Sequence, residues 1–381
     1  MSIKRMTIPQ DFILGAAASA WQTEGWSGKK AGQDSWPDLW YKNDRHVWHN
    51  GYGPAVATDF INRFREDVQL MKLAGLTHYR TSINWSRFLT DYEDVTVDEE
   101  YAAYYDQLFD ELLANGIEPM ICLEHYELPG YLLEKYGGWG SKKVVELYVR
   151  YVEQVFSRYH HKVTRWFTFN EPIVVQTRVY LDALRWPYEQ NTGTWMQWNH
   201  HKVLATAKVV QLFREKGYQG TVGCILNPEV TYPRSSAAHD RRAAEVYDLF
   251  YNRVFLDPLV HGHYPQALFS LLEKHGVAWD YSAEELAIIR DNTVDELGSN
   301  LYYPHRVKAP SRAWHPDTPF HPAWYYEPFE LPGRKMNNSR GWEIYPTIVY
   351  DMAMRIKNDY RNIPWFLSLI HISEPTRHAQ I

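Results

Sequence analysis

Thr168-Phe169-Asn170-Glu171-Pro172 closes a short apolar run and sets a primary amide and a carboxyl on adjacent residues, ahead of a proline suited to a first helical turn. A carboxyl beside an amide at a strand end is equipped to bind hydroxyls and to pass a proton to or from an ether oxygen. One five-residue word matches by chance, and a strand-end Glu is commonly just solvated. The placement recurs, however. Trp21, Gln22 and Glu24 follow the first apolar run, Arg80 and Asn84 flank the second, His125 follows the third, and Asn300 with Tyr302 follow the sixth. Each has an ordinary explanation alone, as a core histidine, an ion pair or a turn cap. Together they describe a ring of polar groups at one end of a sheet.

Helix-period stripes alternate with short strand-like runs along the chain. Phe60, Phe64, Val68 and Met71 mark a helix capped by Asp59 and stopped at Gly75, before a strand at 77–83. Tyr101, Tyr104, Leu108 and Leu112 mark the next, ended by Asn115 and Gly116 before 119–123. Val144, Tyr148, Tyr151 and Val155 follow Ser141 and lead into 166–169, while Val203, Ala207, Val210 and Phe213 stop at Gly217 ahead of 221–226. Ser282 and Glu285 make a capping box before 297–301, and a helix over 345–358 precedes 363–366. With 12–16 as the first, seven strands joined by helical crossovers predict a parallel sheet covered by helices. A doubly wound sheet would hold its ligand after a glycine-rich turn, and no G-x-G-x-x-G follows a strand here. The polar ring fits an α/β fold of the TIM (β/α)8 barrel type, which carries its chemistry at that face. The expectation is one such domain over residues 1–368, truncated before strand eight, with an unrelated tail at 369–381. The Pro-, Trp- and Tyr-rich stretch 303–341 reads as a long βα loop walling the site.

Of the 381 residues 45% are apolar and 23% charged, which excludes global disorder. Forty basic residues against 46 acidic ones, net charge −6, leave no electrostatic footprint for nucleic acid. Cys122 and Cys224 are the only cysteines, so a disulfide framework is excluded and a reducing cytoplasm is the expected compartment. No signal-like start and no apolar run of about 18 residues occurs, so no membrane partner is expected. Sixteen Trp, 28 Tyr and 15 Phe make 15% of the chain. Such a surplus suits either a large aromatic core or a carbohydrate site, where rings stack on the C–H faces of sugars.

The words FILGAAASAWQTEG, FREDVQLMKLAGLTHYRTSINWSR, ICLEHYELP, GGWGSKKVVELYVRYVEQVF, WFTFNEP, DELGSNLYYP and IPWF, in this order, resemble glycoside hydrolase family 1, the β-glucosidase family of retaining enzymes. Through NPEVTYPRS and AAEVYDLFYNRVFLDPLVHGHYP the chain most resembles the bacterial 6-phospho-β-glucosidases. The resemblance implies that Glu171 is the general acid/base, which protonates the leaving oxygen and then activates water. It implies Gln22, His125 and Asn170 as ligands of the sugar hydroxyls, Asn170 at the 2-hydroxyl, and Arg80 with Tyr302 as the pair that holds a nucleophilic carboxylate. It implies no metal and no organic cofactor, and a small-molecule β-glucoside, 6-phosphorylated, as partner.

The family places a Ser/Thr-Glu-Asn-Gly word after the seventh strand, and here Ser368 is followed by Leu369. The second carboxyl is missing from its place. Glu374 stands five residues beyond in an unrelated setting, so the chain is expected to be inactive. Two other readings stay open: a noncatalytic sugar-binding or regulatory relative, and a β-glucosidase or β-galactosidase for unphosphorylated substrates.

Overall fold

The computed structural model describes residues 9, 12–314 and 317–370. Seven parallel strands, β1 (Gly15–Ala17), β2 (His78–Ser82), β3 (Glu118–Cys122), β4 (Arg165–Asn170), β5 (Thr221–Leu226), β6 (Glu296–Leu301) and β7 (Trp365–Ile370), form one sheet in that order. The crossovers carry α1 (Phe60–Leu73), α2 (Glu99–Ala114), α3 (Lys142–Tyr159), α4 (Thr192–Glu215), α5 (Ala283–Asp291) and α6 (Thr347–Asp359). This is the wall of a TIM-type barrel, nearly closed, as the alternation of periods predicts. Among the described residues no helix is long and apolar enough to cross a membrane.

The local signals act largely as read. Ser141 accepts the backbone N–H of Lys143 at 3.2 Å to open α3. Ser282 and Glu285 exchange bonds of 3.1 and 2.7 Å to open α5. Asp59 differs: it sits before α1 in a left-handed conformation, φ 56, and its carboxylate binds the side chain of Asn62 rather than a backbone N–H.

Three boundaries shift. β1 begins at Gly15, and Phe12, Ile13 and Leu14 stay exposed ahead of it, because no layer among the described residues covers them. β7 lies later than 363–366 and runs past the boundary expected at 368, since Leu369 and Ile370 pair with Asn300 and Leu301 after a register shift at Leu367. The remainder of the expected tail, with Glu374, lies outside the described residues. The stretch 303–341 is more than a loop: His305–Lys308 pairs parallel with Thr231–Pro233 and antiparallel with Glu327–Pro328, a small sheet beside the barrel.

Met120, Cys122, Phe167 and Ile225, with Phe366 against them, form the barrel's inner layer. The opposite strand faces join a much larger core under the helices, where Trp85, Trp139, Tyr148, Tyr151 and Phe169 meet. Tyr148 stacks on Phe169 at 5.1 Å and Trp85 on Tyr151 at 5.4 Å. The Tyr148 hydroxyl donates to the Thr168 carbonyl at 2.5 Å, tying α3 to the end of β4.

One cation enters this layer from α4. Lys202 is 1% exposed, its ammonium 5.7–5.9 Å from the ring centres of Trp139, Phe169 and Trp198. It donates to the Pro172 carbonyl at 2.9 Å and to Gln176 Oε1 at 3.2 Å, so it holds the chain just after Glu171. Burial pulls its pKa down to about 8, against the opposing attraction of the buried Glu124. Unfolded, the lysine keeps its proton to its ordinary value of 10.5. Between those values the unfolded chain binds more protons, so this group makes stability rise with pH. The unfolding free energy of wild type minus that of Lys202→Met should therefore increase by about 1–3 kcal/mol from pH 8 to pH 10.5 in urea titrations at fixed ionic strength. A difference that falls across that window contradicts the assignment.

Candidate active site

β4 fits its neighbour in regular register only as far as Phe167; a shift then places Asn170 opposite Ile225, and the Glu171 N–H donates to the Ile225 carbonyl at 2.7 Å. Glu171 adopts φ 49, a left-handed conformation that costs a residue with a Cβ about 1–2 kcal/mol. Its side chain is 9% exposed and fully engaged. Oε1 accepts from Asn300 Nδ2 at 2.7 Å and from the Tyr302 hydroxyl at 3.0 Å, and Oε2 accepts from the Tyr126 hydroxyl at 2.5 Å. Burial, with the Glu171 charge next, pushes both phenols far above their ordinary pKa, so they remain O–H donors.

This arrangement dictates how the carboxyl can carry a proton. An amide nitrogen only donates, whereas a hydroxyl donates or accepts. Protonation of Glu171 is therefore accommodated by Tyr126 or Tyr302 turning its hydroxyl, while Asn300 keeps its bond. Asn300 Oδ1 is buried with no partner among the described residues and is open to a ligand hydroxyl.

Asn170 links Glu171 to the next groups. Its Oδ1 accepts from Asn300 Nδ2 at 3.2 Å and its Nδ2 lies 3.0 Å from His125 Nε2. His125 Nδ1 is 3.2 Å from Arg80 Nη1. Burial, reinforced by the Arg80 charge, drives the His125 pKa well down and keeps the ring neutral. A neutral imidazole accepts at one nitrogen and donates at the other, so the ring can accept from only one of its two neighbours at a time. Arg80 is 3% exposed; it also donates to the Ala18 carbonyl at 3.1 Å and to Ser368 Oγ at 3.3 Å. No carboxylate contacts Arg80 among the described residues. The network thus runs Arg80, His125, Asn170, Asn300, Glu171, from the ends of four strands.

Of the residues singled out from sequence, Glu171, Asn170, His125, Arg80 and Tyr302 come together. Tyr302 does so by binding Glu171, and Arg80 shares no hydrogen bond with it. Gln22 lies on the helical turn after β1, accepts from Ser19 Oγ at 2.7 Å, and has no hydrogen bond to the other five among the described residues. Glu24 is structural: it is 2% exposed, bound by the hydroxyls of Tyr101 and Tyr105, with Arg87 3.8 Å away. Asn84 is structural too, accepting from Ser86 Oγ at 2.8 Å.

Sequence reasoning missed the role of Tyr126, which follows His125 directly, has a left-handed φ of 75 and donates its hydroxyl to the carboxyl. Lys202 gives no signal in the sequence, since it stands just before the apolar stripe that begins at Val203. Trp21 lies 6.5 Å from Tyr126 and 6.1 Å from Trp48, and Trp40 lies 5.1 Å from Trp48, so indoles floor one side of the mouth. Among the described residues no group of three or more His, Cys, Asp or Glu is placed to hold a metal ion.

Known proteins share this arrangement of chain. The glycosyl hydrolase family 1 model matches residues 4–374. A 6-phospho-β-glucosidase of Bacillus subtilis, GmuD, is 41% identical over 94% of this chain and 77% of its own length. β-Glucosidase A of Acetivibrio thermocellus is 31% identical over the same shares. The crystal structure of a β-glucosidase from Exiguobacterium marinum superposes with a TM-score of 0.86 at 27% identity, over 96% of this chain and 79% of that one. On the match of family model, sequence and fold over nearly its whole length, the chain belongs to glycosyl hydrolase family 1, whose members of this kind are β-glycosidases.

Proposed function

We propose that the barrel takes 6-phospho-β-glucosides and is laid out for their retaining hydrolysis, with Glu171 as general acid/base. The observation that carries the reading is the Glu171 carboxyl, enclosed at the strand ends yet bound by two hydroxyls that can turn as it gains or loses a proton. In this reading Glu171 protonates the glycosidic oxygen as the leaving group departs and afterwards takes a proton from the attacking water. Asn170, His125 and Gln22 bind the hydroxyls of the departing bond's sugar. The phosphate preference is supported by the relative at 41% identity, and by aryl-phospho-β-D-glucosidases of B. subtilis, among them BglC and BglA, each 33% identical over 78% and 79% of this chain. A sugar phosphorylated on uptake is met inside the cell, so the reading includes a cytoplasmic location.

Retention requires a second carboxyl about 5–5.5 Å from the first, to form the glycosyl intermediate. Leu369 occupies its sequence position, and Arg80, the cation expected beside it, meets Ser368 instead. The reading is therefore that this chain binds substrate and polarises the leaving group but forms no covalent intermediate.

Small anions test this. With 2,4-dinitrophenyl 6-phospho-β-glucoside, no turnover is expected alone. Azide should restore it by attacking the anomeric carbon as dinitrophenolate leaves, giving the α-glycosyl azide. Release of unactivated phenol needs a proton, so Glu171→Gln should slow azide-supported cleavage of the phenyl substrate by about 10²–10⁴-fold while sparing the dinitrophenyl one. Unchanged rates on both would remove Glu171 from the mechanism. Under the same rescue the 6-phosphorylated substrate should react faster than its unphosphorylated counterpart. An equal or slower rate moves the assignment to ordinary β-glucosides and leaves the glycosidase reading in place.

A further inference from the structure

Beyond the Tyr126 phenol that binds Glu171, one guanidinium has no assigned task. Arg185 is half-buried and packs 5.0 Å over the ring of Trp40. Its guanidinium makes no hydrogen bond or ion pair with any described residue. Its neighbour Arg178 is neutralised by Asp182 at 2.6 Å. Arg178 anchors the segment in turn, its carbonyl accepting the N–H groups of Leu184 and Arg185 at 2.8 and 3.2 Å. Arg185 lies within electrostatic reach of both Tyr126 and Glu171, although burial is the main influence on it and lowers its pKa. It stays charged, because a guanidinium is not deprotonated in proteins.

Unpaired donors gather here. The indole N–H of Trp48, whose ring centre lies 5.1 Å from that of Trp40, is buried without a partner among the described residues. A guanidinium adds up to five more N–H groups in a fixed fork. A sugar hydroxyl donates as well as accepts, and so leaves a hydrogen facing these donors. A carboxylate only accepts, matches the fork with two bonds, and neutralises the charge. A groove of about 420 Å³ lies on the segment that carries Arg185, lined by Arg178, Asp182, Leu184 and Trp314. Trp40 stacks on Trp36 at 5.3 Å and carries the guanidinium as well, so a flat ring beside Arg185 would meet the part of the indole left between them.

We propose that Arg185 is a specificity-determining residue on the leaving-group side of Glu171, selecting β-glycosides whose leaving group carries a carboxylate on a flat ring. The proposal rests on the glycosidase reading above and names the leaving-group class for that site. The carboxylate bridges the guanidinium while the ring lies against Trp40, and the glycosidic oxygen is left at Glu171.

Calorimetric titration of this chain with two thioglycosides tests it without turnover, since sulfur resists hydrolysis. The ligands are phenyl 1-thio-β-glucoside 6-phosphate and its 4-carboxyphenyl analogue. Wild type should bind the carboxyphenyl ligand about tenfold or more tightly, the scale of one charge-assisted bidentate contact. Arg185→Met keeps a stem on Trp40 and should abolish that preference while leaving the phenyl ligand within about twofold. Arg185→Gln, a polar end without charge, should do the same. No preference in wild type, a preference that survives in both variants, or equal loss of both ligands would each overturn the proposal, the last by showing a merely structural arginine. If cooperatively melting wild type binds neither ligand, the 6-phospho-β-glucoside reading fails and this inference with it.

Discussion

A carboxyl taken out of water has to be given hydrogen-bond donors, and the burial of Glu171 sets the terms for everything around it. Its three donors come from the ends of β3 and β6, while its own backbone is pinned to β5 and the following carbonyl to Lys202 on α4. Contacts of 2.5–3.0 Å tolerate little drift, so the strands must hold their mutual register. At the opposite end Arg165 of β4 binds Glu296 of β6 and Thr221 of β5 donates to the same carboxylate at 2.6 Å. The inner layer of Met120, Cys122, Phe167 and Ile225 fills the space between. The barrel is rigid where the acid is held because both of its ends are fixed.

Three cations lie near this carboxyl, and each is handled differently. Arg80 is enclosed but donates to a carbonyl and a hydroxyl, with an imidazole 3.2 Å away, a ring that it shares as an acceptor with Asn170. Lys202 is set among aromatic rings and carbonyl oxygens, with Glu124 as distant counter-charge. A buried charge survives only with such compensation. The Arg185 guanidinium has an indole beneath it and no hydrogen bond to any described residue, and it is half-buried rather than in the core. Compensation is fuller for the two cations that build the scaffold than for the one at the mouth.

The aromatic surplus divides along the same line. Trp85, Trp139, Tyr148, Tyr151 and Phe169 are core, and they back the strand end that carries Glu171. Trp21, Trp40, Trp48 and Tyr126 turn toward the mouth. Composition alone could not separate the two uses, since a ring that packs against a helix and one that packs against a ligand have the same preference for leaving water.

Period and capping determined much of this molecule before any tertiary contact. Seven strands, the crossover helices and a polar ring at one end of the sheet were legible, because strand and helix periods, Ser141, Ser282 and Glu285 act over a few residues. Glu171, Asn170, His125 and Arg80 were legible as a set from their recurrence at strand ends. What remained was settled by contacts between residues far apart in the chain. The extent of β7 depends on its pairing with β6, and the sheet inside 303–341 on pairing with Thr231–Pro233. Tyr302 reaches Glu171 across 131 positions and Tyr126 across 45, and the left-handed backbone of Tyr126 and Glu171 is specified by no local pattern. Glu24 and Asn84 looked like members of the ring and became structural only when Tyr101, Tyr105 and Ser86 folded onto them. A residue's type states which bonds it can make. Which of them it makes is decided by what the fold carries to within 3 Å of it.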